Sequence, residues 1–347
     1  MFLEEKMTQK IQEILIYLTQ RCNYSCKMCT QDGLLPIGEM GLDEWDKIFS
    51  NIEHDFPNCF LIFLGGEPTL YKHFDEILDC ATKHNLRKHV VTNGSLLKGH
   101  LPAIKRNYCG VTISIDGLNQ THDKIRNARG AYDTAIDVIK EMYEYNKSVD
   151  DEKLGYFYYI NYVMLPENID ETLGFIEELS KYKPKNIILN HTRYASFEKR
   201  LEMREEMTKI FDNPYNQHLM MRSIIDFPSD YVLKMNEIVK QAKSTFSPMV
   251  SEFPDLTEEE RLAYYDDEKV YDLRPNWKCP SPYKIPTILP DGTVLSCLYN
   301  KLGNAYEQPI SELWENDIAK KTRDYLNEHT KFLACGRCTC YYKPEKI

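Results

Sequence analysis

Short apolar runs alternate with amphipathic stretches along the first 195 residues of the chain. The apolar runs are rich in Ile, Val, Phe and Tyr and end in polar residues or Gly, which is typical of β-strands. Between them, apolar residues recur at steps of three and four, which is typical of helices with one buried face. Repeated strand–helix units predict a parallel sheet covered by helices. Six strands are predicted, at residues 13–19, 59–64, 88–92, 110–115, 156–164 and 186–190.

Six such units predict an α/β fold, a partial (β/α)6 TIM-like barrel over residues 1–195. In barrels of this type the chemistry lies at the C-terminal ends of the strands. Residues 196–276 are mostly polar, show helical spacing and are broken by prolines, so we predict a helical connector there. Residues 277–347 are rich in Pro and Cys and are predicted to form a small separate module.

The charge and hydropathy of the chain exclude several classes of partner. The formal net charge is −10, which disfavours binding to nucleic acid because that binding depends on Lys and Arg. No apolar run reaches the length of a membrane span. The N-terminus has acidic residues early and no long apolar segment, so it does not predict a secretory signal. We therefore expect a cytoplasmic protein that binds neither nucleic acid nor membrane.

Eleven cysteines in a reducing compartment point to metal binding or catalysis rather than to disulfides. Cys22, Cys26 and Cys29 follow the first predicted strand directly. Three thiolates can hold three irons of a four-iron cluster and leave the fourth iron open for a reaction. A structural zinc site needs four protein ligands, and no fourth Cys or His lies nearby in the sequence. The spacing therefore favours an iron–sulfur cluster.

This cysteine spacing, together with Gly65-Gly66-Glu67-Pro68 after the second strand, resembles the radical S-adenosylmethionine (SAM) superfamily. The resemblance covers residues from about 11 to 195. It implies that the open iron chelates the amino and carboxylate groups of SAM. An electron from the cluster then gives methionine and a 5′-deoxyadenosyl radical, which abstracts hydrogen from the substrate. It also implies an electron donor such as flavodoxin or ferredoxin.

The resemblance further implies which residues bind SAM. It assigns the methionine amino group to Gly65, Gly66 and Glu67. Met28 stands where the family usually has an aromatic residue near the adenine, and a methionine can still pack there. Asn93 is a weaker candidate, since an Asn-Gly pair is commonly just a turn.

The fourth strand alternates apolar residues with Thr112, Ser114 and Asp116, so the polar set is predicted to point into the barrel. The family places the ribose and carboxylate of SAM near this strand, and Ser114 is the candidate ligand. Asp116 either contributes to the same site or caps the following turn. Arg126 either pairs with the SAM carboxylate or forms a surface salt bridge.

Polar residues on the fifth and sixth strands are candidates for the neighbourhood of the substrate. They are Asn161, within an otherwise apolar run, and Asn190 and His191 at the end of the sixth strand. A core Asn or His with satisfied hydrogen bonds is the alternative for each.

The C-terminal module contains a second set of cysteines. A Pro-Asp-Gly turn predicts a hairpin that brings Cys279 and Cys297 together, and Cys335 and Cys338 complete four thiolates. Four ligands suit either zinc or a fully ligated four-iron cluster, and spacing does not choose between them. The segment resembles the shortened SPASM module called a twitch domain, which implies one auxiliary [4Fe–4S] cluster and two clusters in all. Cys340 either replaces Cys335 or Cys338 as a ligand, is a free thiol, or is structural.

Three functions compete at this point. The first is oxidation of a small molecule such as a sugar or aminocyclitol, with the auxiliary cluster as electron acceptor, as in a similar twitch-type dehydrogenase. The second is epimerisation or crosslinking of a ribosomal peptide. Only about twenty residues precede the first cysteine, so we expect no N-terminal leader-binding domain, and this favours the small molecule. The third, a non-catalytic metal scaffold, is disfavoured by the intact motifs.

Overall fold

The computed structural model describes residues 11–30, 37–211, 227–275, 277, 279–297 and 300–338. Cys340 lies outside these residues. Within the described ranges, the helices fall short of the length and apolar character needed to cross a membrane.

The first six strands lie side by side in chain order, and each pairs in parallel with the next. All six predicted strands are confirmed, with ends that differ from the prediction by no more than two residues. They are β1 (Glu13–Thr19), β2 (Phe60–Gly65), β3 (Arg87–Thr92), β4 (Gly110–Ser114), β5 (Tyr158–Met164) and β6 (Ile187–His191).

Helices connect these strands and bury their apolar faces against the sheet. In the first helix Trp45, Ile48, Phe49 and Ile52 are all buried, as the steps of three and four predict. The parallel strand–helix repeat therefore forms as predicted. The connecting helices are α1 (Leu42–Asp55), α2 (Phe74–Lys83), α3 (Leu97–Arg106), α4 (Gln120–Arg126), α5 (Ala131–Lys147) and α6 (Thr172–Ser180).

The strands have a helix-facing side and an interior side, which β5 shows most clearly. Along β5 every second residue is fully buried and the residues between them are half-buried. Tyr162, on the buried side, packs its ring 4.5 Å from that of Phe175 in α6. The half-buried side includes Asn161 and faces the interior of the barrel.

The segment predicted to be a helical connector contains a strand as well as helices. Its elements are α7 (Phe197–Ile210), α8 (Tyr231–Phe246), β7 (Val250–Phe253) and α9 (Glu258–Tyr264). β7 pairs in parallel with β6 and extends the sheet by a seventh parallel strand. The prediction of a helical connector did not include this strand, because β7 is short and half of its residues are polar.

The predicted C-terminal hairpin forms, but it does not stand apart from the barrel. β8 pairs antiparallel with β9 and in parallel with β1, with Leu15 opposite Thr287. The described strands thus form one ten-stranded sheet in the order β10-β9-β8-β1-β2-β3-β4-β5-β6-β7. The elements of this part are α10 (Ser281–Lys284), β8 (Thr287–Ile288), β9 (Thr293–Cys297), β10 (Asn300–Asn304), α11 (Ile310–Leu313) and α12 (Asp317–His329).

A buried charge network joins β6 and β7 to the helices outside them. Glu252 of β7 accepts hydrogen bonds from Arg261 at 2.6 and 2.8 Å, from Lys243 at 2.6 Å and from His191 at 2.8 Å. Burial alone would raise the pKa of Glu252, but the hydrogen bonds from His191 and Arg261 lower it to about 2. Its contribution to stability is therefore complete above about pH 4.3, the ordinary glutamate pKa, and is lost only as the pH falls through 2.

We predict that Glu252→Gln lowers the free energy of unfolding by about 3 kcal/mol, because it leaves the buried Arg261 without its counter-ion. The measurement is anaerobic urea unfolding followed by circular dichroism. Glu259→Gln, an exposed glutamate of α9, is the matched control and should change stability by less than about 0.5 kcal/mol. Equal effects of the two substitutions would contradict this account of the network.

Candidate active site and cysteine clusters

The loop that follows β1 carries the first three cysteines. At its start, Arg21 binds both carboxylate oxygens of Glu39 at 2.9 and 3.0 Å and donates to the carbonyl of Leu70 at 2.8 Å. At its end, the amide of Cys29 donates to the carbonyl of Cys26 at 3.1 Å, which closes a tight turn between two cysteines. The loop is thus held at its start and tightly turned at its end, at the C-terminal edge of the sheet, where such barrels carry their chemistry.

The three thiols of this loop form one group. Partial burial of the sulfur atoms raises the pKa of Cys22 and raises that of Cys26 to about 11, and the nearby Cys29 adds to both shifts. Thiols with raised pKa values stay protonated at neutral pH unless a metal takes the place of the proton. The group therefore has the donor chemistry of a metal-cluster site.

Two side chains direct N–H groups at these sulfurs. Asn93 Nδ2 lies 3.9 Å from Cys22 Sγ, and Arg126 Nη1 lies 3.6 Å from Cys26 Sγ. Asn93 also donates to the side-chain oxygen of Asn23 in the same loop at 2.9 Å. N–H groups aimed at ligand sulfurs are a known means of tuning iron–sulfur clusters. The residues around the loop therefore fit an iron–sulfur cluster.

Gly65 and Gly66 lie directly against the cysteine loop. Gly65 has φ +138°, and a Cβ there would overlap the carbonyl oxygen of Thr19. A Cβ on Gly66 would overlap the carbonyl of Arg21 and lie 2.7 Å from that of Gln20. The amide of Gly66 donates to Thr19 at 2.9 Å and that of Glu67 to Arg21 at 2.8 Å. The two glycines therefore let two backbones meet, a role that does not involve a ligand.

Glu67 is fully buried and holds the ends of β2 and β3 together. One carboxylate oxygen accepts from the amide and hydroxyl of Thr69 and from the Thr92 hydroxyl at 2.7 Å. The other accepts from the amide of Asn93 at 2.7 Å. Four donors therefore bind the carboxylate, three at one oxygen and one at the other. Glu67 thus supports the loop that presents Asn93, and its role as a SAM ligand stays a prediction.

Asp116 and Arg126 form an ion pair beneath the cysteine loop. Arg126 Nη2 lies 2.5 Å from Asp116 Oδ2, and Asp116 Oδ1 accepts from the amide of Val163 at 2.7 Å. Burial raises the pKa of Asp116, against the opposing pull of Arg126 and Val163. Both side chains are buried. The surface salt bridge considered for Arg126 and the turn cap considered for Asp116 are therefore both wrong.

The other predicted site residues divide between the barrel interior and the core. Ser114, Asn161 and Asn190 are half-buried on the inner side of β4, β5 and β6, with Ser114 opposite Asn161 and Asn190 Nδ2 3.4 Å from Asn161 Oδ1. Met28 is half-buried in the cysteine loop. His191 is instead buried between Glu252 and Tyr265, so the satisfied core histidine is the correct alternative for it.

The four C-terminal cysteines converge in the structure. Cys279, Cys335 and Cys338 are buried and Cys297, at the end of β9, is half-buried. Burial raises the pKa of Cys279 well above its ordinary value, and the nearby Cys338 and Cys297 raise it further. Burial likewise raises the pKa of Cys335, with Cys279, Cys338 and Cys297 adding to the shift. Four buried or half-buried thiols close enough to raise the pKa of Cys279 and Cys335 fit a fully ligated metal site.

Arg337, between Cys335 and Cys338, anchors this site to the barrel. It donates to the carbonyl of Tyr264 at 2.7 Å and to the carbonyl and hydroxyl of Tyr194 at 3.2 and 2.8 Å. Its guanidinium also lies 3.6 Å from the centre of the Tyr194 ring. Tyr194 follows β6, so the cysteine pair is bound to the far side of the barrel from β1.

Family models match the two segments of the chain that carry the cysteine sets. A model described as the radical SAM superfamily matches residues 16–179, and one described as an iron–sulfur cluster-binding domain (SPASM) matches residues 279–339. The first match contains the three-cysteine loop and the second contains all four C-terminal cysteines. The chain belongs to the radical SAM superfamily. It is an enzyme whose two matched domains imply SAM and iron–sulfur clusters as cofactors.

Several known radical SAM proteins are similar to this enzyme. An AdoMet-dependent heme synthase of Methanosarcina barkeri is 26% identical over 349 residues, which cover 97% of this chain and 90% of that protein. An Fe-coproporphyrin III synthase of the same organism is 27% identical over 184 residues, which cover 51% of this chain and 43% of that protein. The chain spans about half the length of that synthase and of other curated relatives that it matches.

Among solved structures, Streptococcus suis SuiB bound to S-adenosylmethionine superposes with a TM-score of 0.66 at 15% identity. The superposition covers 96% of this chain and 72% of SuiB. SuiB is also known in complex with the precursor peptide SuiA. This likeness shows a shared fold.

Sequence reasoning missed three residues that shape the two sites. Glu39 and Arg21 hold the cysteine loop, but an exposed ion pair between residues 18 apart leaves no pattern in a single sequence. Arg337 could have been recognised from the sequence, because it is a charged residue inside a Cys-Gly-Arg-Cys segment. A charge between two buried cysteines needs a partner, and this was the signal that the sequence offered.

We predict that Gly66→Ala lowers the rate of SAM cleavage by about 100-fold or more, because the added methyl group displaces the cysteine loop. The rate is measured as 5′-deoxyadenosine formed under anaerobic reducing conditions. Gly99→Ala, in α3 with no atom within 4 Å of the new Cβ, is the control and should keep the wild-type rate. A Gly66→Ala enzyme that cleaves SAM normally would show that the close backbone contact is dispensable.

Proposed function

We propose that the enzyme abstracts hydrogen from a small-molecule substrate with a SAM-derived radical and passes the resulting electron to one auxiliary cluster. Cys22, Cys26 and Cys29 would hold the SAM-binding [4Fe–4S] cluster, and Cys279, Cys297, Cys335 and Cys338 the auxiliary one. When bound, the first cluster supplies the electron that cleaves SAM and the second takes up the electron left on the substrate.

The observation that carries this proposal is the position of the three-cysteine loop over the barrel interior. The loop lies at the C-terminal ends of the strands, and N–H groups of Asn93 and Arg126 point at its sulfurs. Below it, Ser114, Asn161 and Asn190 present polar, half-buried side chains that have capacity for further hydrogen bonds. A ribose, a carboxylate or a polar substrate would satisfy them.

The second family match favours an iron–sulfur cluster over zinc at the C-terminal site, because that model describes an iron–sulfur cluster-binding domain and contains all four cysteines. At the first site three cysteines leave one iron of a four-iron cluster without a protein ligand, whereas a structural zinc site has four protein ligands.

Two of the relatives support a small-molecule substrate. One protein similar to nearly the whole chain is a heme synthase, and another relative is an Fe-coproporphyrin III synthase. Iron porphyrins are therefore the first compounds to test. The second candidate is a ribosomal peptide, and the observation that favours it is the shared fold with SuiB, which has been solved with a precursor peptide.

We predict that the reconstituted enzyme binds about eight irons per chain, as two four-iron clusters. Replacing Cys22, Cys26 and Cys29 together with Ala should leave about four irons and abolish SAM cleavage, while the strands still form. Iron and sulfide analysis after anaerobic reconstitution, with 5′-deoxyadenosine as the activity readout, checks both statements. About four irons plus one zinc in the wild type would overturn the auxiliary cluster.

We also predict that Cys297→Ala separates two activities. Cys297 is the least buried of the four C-terminal cysteines, so this variant disturbs packing least. SAM cleavage should survive, and conversion of a substrate to product should fail because its electron acceptor is lost. The measurement compares 5′-deoxyadenosine with substrate consumed in soluble protein.

Cys109→Ala is the control for this experiment, because Cys109 is a buried cysteine of the barrel outside both clusters. It should keep both activities. Normal product formation by Cys297→Ala would refute the electron-transfer role. Precipitation, or loss of both activities together, would show that the C-terminal site is a structural metal site.

A further inference from the structure

Arg126 occupies an unusual position for a buried cation. It is the last residue of α4, 9% exposed, and its Nη1 atom lies 3.6 Å from Cys26 Sγ. The backbone beside it makes a second contact with the same loop, since the amide of Lys27 donates to the carbonyl of Ile125 at 3.0 Å. The C-terminal end of α4 is therefore bound to the cysteine loop by both backbone and side chain.

The guanidinium is held in place from the side opposite Cys26. Asp116 Oδ2 lies 2.5 Å from Arg126 Nη2, and Asp116 Oδ1 accepts from the amide of Val163 in β5. The amide of Asp116 donates to Nδ1 of His122 at 3.0 Å, which fixes α4 to the end of β4. Asp116 is fully buried, so the pair cannot rotate freely without leaving a buried charge exposed to apolar surroundings.

The pair presents an oriented dipole to the sulfur. Its negative end lies on Asp116 and its positive end, an N–H of the guanidinium, faces Cys26. Reduction adds negative charge to an iron–sulfur cluster and its thiolates, so a fixed positive donor stabilises the reduced state more than the oxidised state. Low local dielectric strengthens this preference.

We propose that Arg126 is a positioning residue that raises the reduction potential of the cluster held by Cys22, Cys26 and Cys29 through its hydrogen bond to Cys26. The proposal rests on the proposed function, which places a cluster at these cysteines. It gives Arg126 a role different from binding the SAM carboxylate. Nη1 and Nη2 are directed at Cys26 and Asp116, and Nε is buried without a hydrogen-bond partner among the described residues.

The test is a redox titration of the reconstituted enzyme with dithionite, followed by electron paramagnetic resonance of the reduced cluster. The parent protein and every variant also carry Cys297→Ala, which removes the auxiliary cluster, so that the remaining signal comes from the cluster at Cys22, Cys26 and Cys29. At a fixed potential, Arg126→Gln should lower the ratio of reduced to oxidised cluster about tenfold, which corresponds to about 59 mV for one electron. Arg126→Lys keeps the charge but not the planar donor, and should fall between Gln and the wild type.

Arg129→Gln is the matched control, because Arg129 is an exposed arginine three residues further along the chain. It should leave the ratio unchanged. The dissociation constant for SAM is measured on the same samples, and the proposal expects a change of less than about twofold, since Arg126 then does not contact SAM.

An unchanged ratio in both Arg126 variants, with iron content as in the parent, overturns the proposal. If SAM binding weakens tenfold or more in those variants while the ratio stays constant, Arg126 is a SAM ligand instead. Loss of the cluster from both variants, with the barrel folded by circular dichroism, also overturns it in favour of a role in assembly alone. A parent enzyme without any reducible cluster would instead refute the proposed function.

Discussion

The backbone of the cysteine loop lies against the turn after β2 with no room for a side chain between them. The amides of Gly66 and Glu67 donate to the carbonyls of Thr19 and Arg21, as if β1 and β2 continued to pair beyond their ends. A Cβ on either glycine would overlap this loop. The position of Cys22, one residue after Arg21, thus follows from a backbone contact. The rest of the site is arranged around that fixed point.

Two buried carboxylates, one on either side of the cysteine loop, have the same structural role. Glu67 accepts the amide of Asn93, just past β3, and Asp116 accepts the amide of Val163 in β5. Each satisfies a backbone donor where regular strand pairing gives way to a loop. A buried carboxylate is costly unless it has such partners. Once made, these bonds fix Asn93 and Arg126, the two residues that direct N–H groups at the cysteine sulfurs. Glu67 and Asp116, which the family resemblance places near SAM, therefore have a structural role in holding the residues around the cysteine loop.

The barrel could be predicted from the sequence because its strands and helices obey clear periodicities. The six strands are apolar runs, and their neighbouring helices have one apolar face. β7 could not be found this way, since its four residues include Ser251 and Glu252 and a proline follows it directly. The glutamate is tolerated because Arg261 and His191 neutralise and bind it. Only the folded chain brings these partners together.

The candidate site, like the fold, could be predicted only where the sequence carries a local pattern. Cysteine spacing identified the first thiol set, whose three members lie within eight residues, and a predicted hairpin with a closing Cys-x-x-Cys pair identified the second. The burial of Arg126 carried no such signal. It depends on Asp116, ten residues away at the end of β4, and on Val163 in another strand. A surface arginine cannot be distinguished from a buried one in a sequence unless its ion-pair partner, here Asp116, is known.

The C-terminal module is joined to the barrel on two sides, and this bears on how an electron acceptor can work. β8 continues the sheet from β1, the strand that leads into the cysteine loop. Arg337, between two of the four C-terminal cysteines, is bound to Tyr194 after β6 and to Tyr264 in α9. Contacts at both the first and the sixth strand hold the four-cysteine site in a fixed position relative to the barrel. The proposed electron acceptor would therefore stay at a constant distance from the barrel interior.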